Sequence, residues 1–312
     1  MSARAVIDEA AARLADRFGD RMERDFPLSP LSTYRVGGPA ALSLEADDVA
    51  DLHVLAEIVS ETGIDVLVVG NGSNLLVAEA GFPGVAVRLG DGFASVDIDG
   101  TTVVAGAAAL LPVVARKTVE AGLTGFEWAV GVPGSIGGAV RMNAGGHGSE
   151  MANSLVGVRV LDLRTGEDGE VPIADLALGY RRSSIAGAQV VVSASLALAH
   201  GDREAGKAEL SEIVRWRRAN QPGGQNAGSV FTNPPDDSAG RLIDVAGCKG
   251  LRVGTAVVSD KHANFIQADP GGSADDVVAL MATVQERVEV ETGVRLHPET
   301  VLVGFDRAED AG

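Results

Sequence analysis

At 312 residues, 46% hydrophobic and 22% charged, the chain is long enough for two or three domains that each bury a core. Its formal net charge of −17 argues against nonspecific binding to nucleic acid or anionic membrane, and 4% aromatic residues offer no stacking surface for bases. The single cysteine, Cys248, rules out an internal disulfide and fits a reducing cytoplasm; among Ala246, Gly247 and Gly250 it reads as a small buried side chain rather than a nucleophile.

Residues 2–25 carry Val6, Ala10, Leu14 and Phe18 at helical spacing and predict an amphipathic helix; no apolar signal-peptide core is expected there. The stretch from Leu31 to Gly38 is turn-rich. Asp47 or Asp48 caps an expected helix to about Glu61, stopped by Gly63. Strands are expected at 65–70 and 84–89, closing a first unit at 1–89. A second unit, 90–203, is rich in strand signals at 96–98, 101–105, 155–163 and 190–198, with a helix at 111–121. A third, 204–306, opens with a helix at 204–219 whose Arg215-Trp216-Arg217-Arg218 run reads as a solvated face. It closes with a helix to Thr292, started by a Ser273/Asp276 capping box and stopped by Gly293. A short tail, 307–312, reads as frayed from Ala308 onward.

Two glycine loops stand out. Gly131 to Gly146, GVPGSIGGAVRMNAGG, has one formal charge, Arg141; its glycines fit either tight turns or a concavity of N–H groups for an anion. Gly70-Asn71-Gly72-Ser73-Asn74-Leu75-Leu76 directly follows an apolar strand, a common position for ligand binding. Two such loops point to a ligand with a long phosphate bridge, such as a dinucleotide. Neither matches a P-loop or the G-x-G-x-x-G fingerprint. No pair among the five histidines has metal-ligand spacing, so no metal is expected. Arg181, Ser229 and Glu299 sit in apolar or glycine-rich settings, and each alone reads as structural.

Taken together, the motifs resemble one family, the flavoenzyme UDP-N-acetylenolpyruvoylglucosamine reductase (MurB). They run from Thr33–Gly38 through the two glycine loops and Tyr180-Arg181-Arg182-Ser183 to Ala227–Pro234. Ala239–Ile243, Lys261–Phe265 and Gly293–Glu299 complete the series. The resemblance implies an α+β fold: a two-part FAD-binding region of the vanillyl-alcohol-oxidase (PCMH) type, then a C-terminal α+β substrate domain. It further implies non-covalent FAD, NADPH as co-substrate and UDP-N-acetylglucosamine enolpyruvate as substrate, in a cytoplasmic monomer with no nucleic-acid or membrane partner. The interval between Arg181 and Ser229 is short, which matches the class without a tyrosine-bearing insertion.

Carried over residue by residue, the resemblance makes Arg181, Ser229 and Glu299 catalytic. Flavin N5 gives hydride to C3 and Ser229 gives a proton to C2; Arg181 and Glu299 attend the carboxylate, where negative charge develops. Glu299 can help there only as a donor, in its protonated form. Cofactor contacts fall on Tyr34, Arg35, Gly70, Asn71, Gly72, Ser73, Asn74, Leu75, Pro133, Gly134, Ser135, Ile136, Gly137, Gly138, Ala139, Asn143 and Gly145. Substrate contacts fall on Tyr180, Asn233, His262 and Asn264. Asn220 and Thr232 stand where the family often has basic residues; Arg217, Arg218 or Arg241 are expected to compensate.

Overall fold

The computed structural model describes residues 2–185 and 187–305; the expected tail at 307–312 lies outside the described residues. The chain forms two compact units that interleave in sequence. Unit 1 comprises Met1–Arg24, Leu42–Asn71 and Gly84–Arg217, and unit 2 comprises Asp25–Ala41, Gly72–Pro83 and Arg218–Gly312. This grouping differs from a contiguous division at residues 89 and 203. The reason is pairing: the strand Leu75–Val77 runs parallel to Val301–Val303, and Tyr34, Val36 and Leu76 pack in the C-terminal core.

In unit 1, helix α1 (Ala3–Phe18) is capped by Ser2, whose hydroxyl accepts from the Ala5 N–H at 3.3 Å. It stops at Gly19, at φ 56°, instead of continuing to residue 25; Met22–Pro27 is a strand. Asp48 caps helix α2 (Val49–Thr62), and Gly63 ends it at φ 69°. Ala10, Ala11, Leu14 and Phe18 of α1 meet Leu52, Leu55 and Val59 of α2 in one apolar cluster. Val66–Val69 pairs in parallel with Phe82–Leu89. The second layer is a five-stranded antiparallel sheet, ordered Asp168–Pro172, Leu155–Asp162, Gln189–Ala197, Thr102–Gly106, Val96–Asp99. Alternation along its strands sends Val103, Ala105, Val158 and Ala194 to a core shared with helix α3 (Leu111–Glu120). Leu161, Val190 and Val192 join the α1–α2 cluster.

Helix α4 (Ile136–Met142) lies inside the long glycine stretch, which sequence periodicity did not separate from turns. The segment before it pairs with the chain ahead of α3: Leu111 N–H donates to Gly134 O, Ile136 N–H to Ala109 O and Gly137 N–H to Ala107 O, each at 2.9 Å. A Cβ on Gly137 would stand 3.0 Å from the Ala107 Cβ, so any side chain there would have to push the two backbones slightly apart. Helix α5 (Arg203–Asn220) follows the sheet.

Unit 2 contains helix α6 (Ala239–Val245), helix α7 (Ala274–Thr292) and a three-stranded sheet, Arg252–Val253, Ala256–Val258, Ile266–Ala268. Val277, Leu280, Met281, Val284 and Val288 of α7 pack on Ala256, Val258 and Ile266 of the sheet. Ser273 caps α7, but Asp276 does not close the expected capping box. Its carboxylate instead accepts from Thr255 N and Oγ1, both at 2.7 Å, and those bonds hold its pKa below the usual range. Cys248 is buried, as its setting predicted, and burial raises its thiol pKa. No helix among the described residues is long and apolar enough to cross a membrane.

Gly72, at the turn of the first glycine loop, has φ 57°, and a Cβ there would stand 1.9 Å from the Leu31 carbonyl oxygen. Left-handed backbone alone costs a non-glycine residue about 1–2 kcal/mol; the collision with backbone adds to it. Gly247, at φ 66°, has nothing within 4 Å of a Cβ. Gly72→Ala is therefore expected to destabilise unit 2 by more than about 2 kcal/mol and Gly247→Ala by about 1 kcal/mol, read by denaturant unfolding. Equal losses would show that the close approach to Leu31 contributes nothing.

Candidate active site

In unit 1 the strand Val66–Val69 delivers Gly70 and Asn71, and the Asn71 side chain donates to the Pro133 carbonyl at 2.8 Å. The two glycine segments are thus joined at their tips. Beside them lies a cavity of about 280 Å3, walled by Val68, Leu89 and Val191 and edged by Gly70, Ser135 and Gly138. Arg88 and Arg141 also line it. Arg88 pairs with Glu45 at 2.7 Å, while burial pushes the Arg141 guanidinium below its usual pKa. Sequence reading assigned neither arginine to the site: Arg141 stands in the glycine stretch as its one charge, Arg88 lies in no motif, and the fold brings both to the cavity.

The Arg181 motif is a tight turn in the same unit. Gly179 and Arg182 exchange N–H···O bonds at 3.0 and 3.1 Å, and Arg181 between them is held at φ 57°. Such strain in a bulky residue marks a position set by its surroundings. Three bonds supply them: Arg181 Nη2 donates to Gly145 O at 3.1 Å, Asn143 Nδ2 to Gly179 O at 3.0 Å and Ser183 Oγ to Arg141 O at 2.8 Å. The glycine segment and the Arg181 turn therefore form one body. Tyr180 is half exposed, with the Arg181 guanidinium 5.2 Å from its ring centre.

Asn143 was expected against the cofactor, but it has no exposed surface. It ends α4 at φ 39°, and its amide is used on Gly179 and, through Oδ1, on the Ala152 N–H at 3.0 Å. Ile136 and Ala139 likewise turn their side chains into the core, leaving only backbone for a ligand. On the expected solvated face of α5, Arg215, Trp216 and Arg218 are exposed, and Arg217 alone departs from it. Arg217 donates to the Gly131 carbonyl, and burial lowers its pKa; Trp216 stacks edge-on with His147, ring centres 5.0 Å apart. These residues brace the start of the glycine segment.

In unit 2 the turn-rich Thr33–Gly38 segment supports the rest of the first loop. Thr33 N–H donates to Gly72 O at 3.1 Å, and Ser32 Oγ to Leu75 O at 3.3 Å. Tyr34 was expected to touch the cofactor; it is fully enclosed in the unit 2 core, with burial raising its phenol pKa. Arg35 beside it is exposed at φ 54°.

Val230, directly after Ser229, is linked to Glu299 and Asn74 in unit 2 by hydrogen bonds. Glu299 N–H donates to Val230 O at 2.7 Å, Asn74 Nδ2 donates to Glu299 O at 3.0 Å and Val301 N–H donates to Asn74 O at 2.9 Å. Both Ser229 and Glu299 are half-buried. Asn264, expected as a substrate contact, is buried with its amide committed to Phe231. Asn233 accepts the Ala239 N–H at 3.0 Å at the start of α6, and His262 packs on Phe265 with its pKa lowered by burial. Thr232 uses its N–H and hydroxyl on the His297 carbonyl. The compensating cations are fewer than expected: Arg217 is committed to Gly131, and Arg241 chelates Asp237, whose carboxyl is held down at about 2. Arg218 keeps an exposed side chain.

Comparison with known proteins agrees with this arrangement. Residues 40–168 match the family model of an FAD binding domain, and residues 220–303 match the C-terminal domain of UDP-N-acetylenolpyruvoylglucosamine reductase. The chain is 42% identical over 292 residues to the Paramagnetospirillum magneticum protein of that name, covering 93% of this chain and 94% of the other. It is 41% identical over 310 residues to that of Acidiphilium cryptum, covering 98% of each. The crystal structure of the Thermus caldophilus reductase superposes with TM-score 0.80 at 37% identity, covering 91% of this chain and 99% of that one. The fold is thus a PCMH-type FAD-binding domain followed by the reductase's own C-terminal domain. The chain belongs to the UDP-N-acetylenolpyruvoylglucosamine reductase (MurB) family of flavin-dependent oxidoreductases.

Proposed function

We propose that this enzyme reduces UDP-N-acetylglucosamine enolpyruvate to UDP-N-acetylmuramate with NADPH, a step of peptidoglycan precursor synthesis in the cytoplasm. The observation that carries the reading is the hydrogen-bonded coupling, within unit 2, of the segment that follows Ser229 to Glu299 and of Glu299 to Asn74.

The residues fit FAD. A flavin dinucleotide needs apolar walls for its rings and N–H donors or cations for its diphosphate. The unit 1 cavity combines Val68, Leu89 and Val191 with Arg88, Arg141 and glycine backbone. The two loops approach closely: a Cβ on Gly70 would stand 3.0 Å from Ser135 Oγ. Gly70, Asn71, Pro133, Gly134, Ser135, Gly137, Gly138 and Gly145 would hold the cofactor from unit 1. Gly72, Ser73, Asn74, Leu75 and Arg35 are the corresponding candidates in unit 2. When bound, FAD supplies the hydride, taken from NADPH, that reaches C3 of the enolpyruvyl group.

The chain's own residues manage charge and protons. Arg181, locked at the tip of its turn, presents a fixed cation to the substrate carboxylate; a donor that needs no reorganisation is the effective kind. Glu299 is assigned as a donor to the developing charge, a role it fills only in its protonated form. Ser229 Oγ gives its proton to C2, a transfer that a weakly acidic hydroxyl makes only if held at hydrogen-bond reach. Tyr180, Asn233, His262 and Arg218 are assigned to the nucleotide sugar. Asn264 acts through Phe231 rather than by contact.

An anaerobic absorption titration tests the assignment. The purified protein is expected to be yellow, to bleach with NADPH and to recover its colour on adding the enolpyruvyl nucleotide. Bleaching without recovery would assign it another electron acceptor. Ser229→Ala is expected to leave bleaching by NADPH unchanged and to slow recovery by about 100-fold or more, within the range of general acid catalysis. Equal slowing of both half-reactions, followed by stopped flow, would remove the proton-donor role.

A further inference from the structure

Asn264 does more in unit 2 than fill space. It is 3% exposed, and its amide pairs with one residue as a neighbouring strand would. Oδ1 accepts from the Phe231 N–H at 3.0 Å, and Nδ2 donates to the Phe231 carbonyl at 2.8 Å. The Asn264 carbonyl accepts from the Val230 N–H at 2.9 Å. On the opposite edge, Glu299 N–H donates to Val230 O at 2.7 Å and Thr232 N–H donates to His297 O at 2.9 Å. Residues 230–232 are thus held from both sides. Ser229 is the last residue before the held segment, and Gly228 ahead of it turns the chain at φ 77°.

We propose that Asn264 is a positioning residue for the proton-transfer step: its side-chain amide sets the Val230–Phe231 backbone, and through it the Ser229 hydroxyl relative to Glu299. The inference rests on the proton-donor reading of Ser229. Packing alone does not account for an asparagine here. An apolar side chain of similar size would fill the space but leave the Phe231 N–H and carbonyl without partners, and Phe231 is only 1% exposed. Direct substrate contact does not account for it either, because its amide is committed to Phe231 and closed off from solvent.

Asn264→Asp separates positioning from bulk stability. A protonated carboxyl keeps both bonds, its carbonyl oxygen accepting from Phe231 N–H and its O–H donating to Phe231 O. Ionised, it turns an oxygen against the Phe231 carbonyl, and burial favours the neutral form up to a higher pH than usual. The other titratable groups of this layer are His262, whose Nδ1 accepts the Asn264 N–H at 3.3 Å, Lys261 beside it, and His297 and Glu299 on the facing segment. The unsubstituted holoenzyme, measured at each pH, carries their contribution.

In the Asn264→Asp holoenzyme, flavin reduction by NADPH should match the unsubstituted enzyme at every pH. Reoxidation by the enolpyruvyl nucleotide, relative to that enzyme, should be near normal at low pH and fall by about 100-fold as pH rises, the scale of a small misplacement of reacting groups. Asn264→Ala should show the loss at every pH. Hydrogen exchange at the Phe231 amide of the full chain should accelerate over the same pH range in the Asp variant. Parallel loss in both half-reactions, or unimpaired reoxidation in both variants while Ser229→Ala is slow, overturns the positioning role. Unimpaired reoxidation in Ser229→Ala overturns the proton-donor reading, and this inference with it.

Discussion

Much of unit 1 depends on one close approach: the glycine segment is hydrogen-bonded, backbone to backbone, against residues 107–111. The hydrogen bonds from Leu111, Ile136 and Gly137 set that distance, and the Ala107 Cβ crowds the space a second Cβ would take at Gly137. From this contact follow the placement of α4, the left-handed stop at Asn143 and the three bonds that fix the Arg181 turn. Glycine loses entropy on folding, and its use here is repaid by close approach rather than by flexibility.

Electrostatics is handled locally. A chain of net charge −17 has to receive anions, and it does so with a few cations whose surroundings are set by the fold. Arg141 and Arg217 are partly desolvated, which lowers their pKa values but leaves a guanidinium charged. Arg217 answers a backbone carbonyl at the start of the glycine segment; Arg88 is balanced by Glu45. Arg241, by contrast, is neutralised in an exposed pair with Asp237, an interaction of small worth to stability.

Two buried asparagines serve as substitutes for strand neighbours. Asn143 joins Gly179 to Ala152, and Asn264 pairs with both backbone groups of Phe231. A carboxamide carries a donor and an acceptor in the geometry of a peptide group, so it satisfies an irregular segment that no regular strand reaches. In an apolar interior the alternative is an unpaired N–H or carbonyl, which is costly. Residues that look like ligand contacts in a motif can therefore be the frame that holds the contacts.

The sequence by itself determined the local elements and the family. Helical spacing with Asp47 or Asp48, Gly63, Ser273 and Gly293 marked α2 and the bounds of α7, because caps and stops are decided by neighbours in the chain. The order of the glycine, arginine and serine motifs pointed to a flavin reductase. What only the tertiary structure decided was where each polar side chain spends its hydrogen bonds. Asp276 turned to Thr255, Arg217 to Gly131, Tyr34 to the core and Asn264 to Phe231, each toward a partner distant in sequence. The interleaving of Asp25–Ala41 and Gly72–Pro83 with the C-terminal part is of the same kind. Strand pairing and burial join residues across the chain, and no local pattern encodes which distant segment will satisfy a given donor or cover a given face.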